Sequence, residues 1–228
     1  MKLFSFEKII MLLEQYWQKF LLEGVGYTLS MAAITVAFGA IFASLIALLK
    51  MSKIAPFRWV SSVYIEIIRG TPMLLQLYFF YFALPMLIPV LNKQKYVCVC
   101  IALICNSAAY LSEVIRSGIQ AVDGGQTEAA LSLGFNSRKT MWYIVLPQAI
   151  KNILPALANE FIMIIKDTSL ASTFFIGDVM TQCLLVKGAT YLPIEPMIIV
   201  AVIYFVLTFT LSKIVGAFER RMSRGYKR

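Results

Sequence analysis

Tyr27–Leu49 reads YTLSMAAITVAFGAIFASLIALL, and no charged residue interrupts it. About 20 predominantly apolar helical residues cross a bilayer, so this stretch is long enough to span one. Outward from it the pattern recurs. Apolar runs cover about Val60–Leu91, Tyr96–Ile115, Ala149–Val186 and Pro196–Gly216. The second breaks near Pro85 and Pro89, and Gly70-Thr71-Pro72 should loosen its first part. The fourth is apolar from Ala149 to Ile165, meets Lys166-Asp167-Thr168-Ser169, where a helix break is expected, and resumes at Leu170. The chain of 228 residues is 60% hydrophobic and 14% charged, with a mean hydropathy of +0.77. A soluble domain holds about 25% charged residues. The fold class expected is therefore all-α, a polytopic membrane protein with about five transmembrane helices, and residues 1–228 form one membrane domain.

Charge orients the spans. With five crossings and an outside N-terminus, thirteen basic residues face inward, from Lys50, Lys53 and Arg58 to the tail around Arg220 and Arg221. Six face outward, among them Lys93, Lys95 and Lys187. That asymmetry obeys the positive-inside rule, which six crossings would violate. The net charge of +9 thus belongs to membrane orientation, and no nucleic-acid partner is expected. Residues 1–22 carry Phe6, Ile9, Ile10, Leu13, Tyr16, Trp17 and Phe20 at roughly helical spacing, which suggests an amphipathic helix lying in the lipid interface. Lys8, Glu7 and Glu14 interrupt the run, so it is not read as a cleavable signal.

Chemistry is sparse. Histidine is absent, and Cys98, Cys100, Cys105 and Cys183 form no CxxC pair, so no metal site is expected. No GxxxxGK[ST], GxSxG or HExxH pattern occurs, and the chain is read as no enzyme. Ionisable residues inside spans are expensive and point to function. Glu160 and Asp167 lie about two turns apart on one helix face beside Asn159. Asp167 and Ser169 could instead cap the break. Glu66 and Arg69, three apart, can pair. Gly70, Thr71 and Gln76 offer donors and acceptors where a helix breaks. Glu160, Asp167, Asn159, Thr71, Gln76 and Gly70 are the candidate substrate-binding residues. Two acids favour a cationic amino acid such as arginine, lysine or histidine, with glutamine and cystine as alternatives.

Residues 117–148 form a long polar loop. Gln126–Leu133 favours a helix, Gly134 can supply the positive φ that ends it, Asn136 can cap a second helix, and Pro147 should stop that one. Within the loop, Glu128-Ala129-Ala130, then Gly134, then Ile144-x-Leu146-Pro147 match the EAA loop of ABC-importer permeases in identity and spacing. Arg69-Gly70-Thr71-Pro72 with Gln76, and Lys166-Asp167-Thr168-Ser169-Leu170, resemble the permeases of the polar amino acid class, and the likeness covers nearly the whole chain after Gly24. Asp123-Gly124 departs from it where many relatives carry a proline and a basic residue. The resemblance implies a cytoplasmic coupling turn in which Glu128, Ala129, Ala130 and Gly134 dock on an ATPase. It implies separate ATP-binding ABC subunits that hold ATP and magnesium, so this chain needs no cofactor. It further implies an extracytoplasmic amino-acid-binding protein, a second permease copy or homologue, and the bacterial cytoplasmic membrane. A channel or secondary transporter is the alternative, but it would leave Ala121–Leu146 without a purpose.

The topology can be checked directly. Cysteine at Asn92 should react with an impermeant reagent from outside and cysteine at Ser223 only from inside. Labelling of both from one side would remove the five-span arrangement.

Overall fold

The computed structural model describes residues 5–223, and the described residues contain helices and no strands. An N-terminal helix α1 (Phe6–Trp17) passes through a π-helical stretch (Gln18–Gly24) into α2 (Val25–Lys50). Then come α3 (Ala55–Gly70), α4 (Met73–Phe82), the short α5 (Leu84–Leu87), a 3-10 turn (Pro89–Lys93) and α6 (Lys95–Gln120). The polar loop holds α7 (Gly124–Ser132) and α8 (Ser137–Thr140). A second π stretch (Met141–Val145) leads into α9 (Leu146–Asp167), a 3-10 segment (Thr168–Phe174), α10 (Val179–Thr190) and α11 (Glu195–Ser223). Among the described residues, three helices are long and apolar enough to cross a membrane: Phe6–Lys50, Lys95–Gln120 and Glu195–Arg221. Two broken pairs, Ala55–Gly70 with Met73–Leu87 and Ser137–Phe174 with Val179–Thr190, bring the number to five if each pair is one span.

In α2 the packing inverts the soluble rule. Ala32, Thr35, Gly39, Ala43 and Ala47 recur every three or four residues and are buried. Phe38, Ile41, Phe42, Leu45 and Leu48 are exposed. Lipid solvates large apolar side chains well, so small residues go where helices meet.

The residues cluster into two compact units. The first comprises the described residues to Thr35, Met73–Leu103 and Phe161–Ile214. One of its cores joins Leu12 and Phe20 to Val179, Cys183, Val186, Ile199 and Val200. A second joins Met31, Leu77, Val99 and Ala171. Gly24 is required by a close approach, because a Cβ there would lie 3.0 Å from the Val179 Cα. Beside it, Thr28 Oγ1 accepts from the Val179 amide at 3.2 Å. Gly177, at φ +109°, lies under the Tyr27 ring. Asp178 caps α10 by accepting from Met180 N at 3.0 Å and from the Thr181 hydroxyl.

The second unit comprises Val36–Pro72, Ile104–Glu160 and the described residues from Val215. Here Gly39 meets Ser107, Gly118 lets α6 approach Ile153 of α9, and the Tyr64 hydroxyl donates to Cys105 O at 2.6 Å. Lys50 Nζ lies 2.6 Å from Glu113 Oε1, and Arg116 grips Glu113 Oε2 through Nη2 at 2.8 Å and Nε at 3.2 Å.

Several expectations need correction. The fourth apolar segment does not break at Lys166–Ser169. The helix narrows there into a 3-10 form and breaks only at Phe175–Asp178, where Phe175 (φ 53°) and Gly177 turn the backbone left-handed. Asp167 makes no capping hydrogen bond. The Thr168 and Ser172 hydroxyls instead donate to the carbonyls of Ile165 (2.7 Å) and Ser169 (2.6 Å). Pro147 does not stop the helix either. The π stretch just before it widens the backbone where proline lacks an N–H, and α9 continues. The amphipathic stretch expected over residues 1–22 is helical from Phe6 onward, its helix runs on into α2, and Leu12 and Phe20 are buried in the first unit.

The close approach at Gly24 generates a test. Gly24→Val should cost about 1–3 kcal/mol by overpacking, lowering the thermal midpoint of the purified protein by several degrees. Gly26→Val, whose Cβ meets nothing within 4 Å, should shift it little. Equal shifts for the two would contradict the packing described.

Candidate functional site

The polar loop is a helical hairpin. Asp123, part of the departure from the related pattern, is the N-cap of α7 and accepts from Gly125 N at 2.6 Å. The helix therefore starts earlier than Gln126, and Glu128 sits beyond the first turn, where it caps nothing. At the other end Gly134 adopts φ +86°. Phe135 N donates to Ala130 O (3.1 Å) and Gly134 N to Leu131 O (3.0 Å). These are the two hydrogen bonds of a Schellman C-cap, which requires a left-handed residue at that position. Asn136 then caps α8, accepting from Lys139 N at 2.9 Å. Ala130, Thr140 and Val145 are buried between the two arms, so the small size of Ala130 serves packing within the hairpin. Glu128 and Ala129 are exposed. So are Leu131, Leu133, Phe135, Met141, Trp142 and Tyr143, with Leu133 at 80% and Tyr143 at 71%. Glu128, Arg138 and Lys139 are exposed in the same hairpin, and an exposed apolar patch of this kind is a candidate contact surface.

The second unit also holds a cavity of about 490 Å³. Arg69 of α3, Tyr110, Glu113 and Ser117 of α6, and Asn152 and Glu160 of α9 line it. On α6 the lining positions 110, 113, 114, 117 and 118 follow one helical face, which Ala121 extends just past the helix end, and on α9 the positions 152, 156 and 160 recur every four residues. Arg69 does not pair with Glu66. Its guanidinium lies over the Tyr110 ring, 5.4 Å from the centroid, while Glu113 pairs with Lys50 and Arg116. The charge of Glu113 is thereby neutralised. Arg69 and Glu160 also line this wall and carry opposite charges.

The six sequence candidates are not gathered in this cavity. Glu160 lines it. Asn159, next in the helix, is exposed. Thr71 donates its hydroxyl to Ile67 O at 2.8 Å and so terminates α3, and Gly70 is exposed at that terminus. Gln76 is buried on α4, and Asp167 is half-buried at the end of α9, both in the first unit. The sequence reading missed Arg69 as a cavity residue, along with Tyr110, Ser117 and Asn152. The signal was available in the four-residue spacing Asn152–Ala156–Glu160.

Residues 35–224 match the family described as "Binding-protein-dependent transport system inner membrane component". The chain belongs to this family. It is 42% identical to the "Arginine transport system permease protein ArtQ" of Bacillus subtilis (strain 168), over 89% of this chain and 92% of the relative. It is 41% identical to the "Putative glutamine transport system permease protein GlnP" of Rickettsia bellii (strain RML369-C), over 89% and 93%. Among solved structures, one titled "Crystal structure of an amino acid ABC transporter with histidines" matches with a TM-score of 0.86 at 42% identity, over 96% of this chain and 99% of that one. Family members are membrane permeases and carry no catalysis of their own, so the hairpin and the cavity belong to an integral membrane transport subunit.

Proposed function

We propose that this chain is the membrane-spanning subunit of a binding-protein-dependent ABC importer for a polar amino acid. The observation that carries the substrate class is the cavity bearing Arg69 and Glu160. A free amino acid has a carboxylate and an ammonium, and a group of opposite charge hydrogen-bonds to each most strongly. Arg69 suits the carboxylate and Glu160 the ammonium. A volume of about 490 Å³ lies in the range of small-molecule sites. Glu113, spent on Lys50 and Arg116, adds no preference for a positive side chain. Asp167 does not line this cavity, so the cavity itself adds no acid for a positive side chain. The named relatives include both an arginine and a glutamine permease at nearly equal identity, which leaves the choice to the side-chain partner.

The hairpin at residues 117–148 is the docking element for ATP-binding subunits, with Glu128, Ala129 and the surface around Gly134 in contact and Ala130 holding the hairpin together. ATP and magnesium are bound by those subunits. An extracytoplasmic binding protein delivers the amino acid, a second permease copy or homologue completes the pathway, and the N-terminus faces outward from the cytoplasmic membrane. Family membership and the relatives' names support this assembly.

The test is uptake and ATPase stimulation in the reconstituted complex with arginine, lysine, histidine, glutamine and cystine. Arg69 is exposed and Glu160 half-buried, so each charge contact is partly screened and worth about 1 kcal/mol. Glu160→Gln and Arg69→Gln should each weaken the stimulating amino acid by about fivefold while assembly and basal ATPase persist. Unchanged uptake in both Glu160→Gln and Arg69→Gln would refute the cavity as the substrate site.

A further inference from the structure

The turn between α2 and α3 carries a surface outside both the cavity and the hairpin. No acidic residue occurs between Glu23 and Glu66, whereas Lys50, Lys53 and Arg58 follow one another closely. Lys50 is committed to Glu113. Lys53 and Arg58 are exposed, and neither takes part in a salt bridge among the described residues. Interleaved with them, Ile54, Phe57, Trp59 and Val60 are exposed, Trp59 to 69%. Ser52 shapes the turn by accepting from Ile54 N at 3.1 Å.

Position decides what covers this surface. At 1.5 Å per residue, α2 is about 39 Å long, against a hydrocarbon core of about 30 Å. Its Lys50 end therefore reaches the headgroup layer, and the turn that follows runs along that layer. Indole and phenyl rings settle at this depth, with their apolar bodies among the chain ends. Lysine and arginine extend their charged tips outward from the same depth. An acid-free, unneutralised pair of cations beside such anchors complements a phosphodiester.

We propose that residues 51–60 form a binding surface for the headgroups of anionic phospholipid. Phe57 and Trp59 seat in the bilayer boundary, and Lys53 and Arg58 contact the lipid phosphate. The proposal rests on α2 as a membrane span and not on the identity of any transported molecule, so it stands or falls separately from the import reading.

The experiment uses the full chain with Trp17 and Trp142 replaced by phenylalanine, leaving Trp59 as the reporter. The protein is reconstituted with brominated phosphatidylglycerol or brominated phosphatidylcholine at equal bromine content. Each basic residue beside an anionic surface is worth about 1 kcal/mol, roughly fivefold in occupancy. Quenching of Trp59 should be several-fold stronger with phosphatidylglycerol. In Lys53→Gln/Arg58→Gln the preference should vanish, while quenching by phosphatidylcholine persists and reports insertion. Equal quenching by both lipids, or a preference that survives the double substitution, would overturn the proposal. Absence of quenching by either lipid would overturn it as well, since a protein would then cover the turn.

Discussion

A bilayer offers no water to a backbone, and each unpaired amide or carbonyl inside it costs several kilocalories per mole. Helices meet that demand without help, and every interruption of a helix must be met by a particular side chain or turn. At the end of α3 the Thr71 hydroxyl takes the Ile67 carbonyl. In the 3-10 segment after α9, Thr168 and Ser172 take the carbonyls of Ile165 and Ser169. Where the chain turns into α10, Asp178 and Thr28 receive the free amides of Met180 and Val179. The polar residues scattered through the apolar segments are in large part the hydrogen-bond accounting of these breaks.

The same constraint explains what could be read from sequence. Apolar run length marks spans, so the three uninterrupted helices and the weak point at Gly70–Pro72 were legible. The turn at Gly134 and the cap at Asn136 were legible because each needs a residue type that few alternatives can replace. The break in the fourth segment was misplaced because Lys166-Asp167-Thr168-Ser169 looks like a cap. Hydroxyl groups bonding back to the helix carry that stretch onward in 3-10 form, and the left-handed residues arrive only at Phe175 and Gly177. Pro147 misled for a related reason. A π stretch absorbs a proline when the chain has room to widen, and nothing in the residue order announces that room.

The candidate site was half legible. Glu160 stood out as an acid amid apolar neighbours, and it does line a cavity. The surroundings of Arg69 were misread. Spacing along one helix favoured Glu66 for Arg69, whereas tertiary packing places the guanidinium over Tyr110. Pairing across helices is invisible to a rule that counts residues along one of them. Glu113 shows the converse. It is an acid in the cavity wall whose charge is already held by Lys50 and Arg116, and Arg116 also donates to Gln120 (2.6 Å) near the end of α6. That network ties the ends of α2 and α6 together immediately before the hairpin begins.

The central claim is that the power for transport enters through the hairpin built on Gly134. A side chain at φ +86° is strained whatever its size, while the space beside Gly134 is open, so a substitution disturbs the turn without jamming the core. The direct measurement is the amount of ATPase subunit that copurifies with the membrane-inserted chain, wild type against Gly134→Asp. The account predicts normal insertion with loss of the ATPase subunit and of uptake. Full copurification together with normal uptake in Gly134→Asp would contradict it.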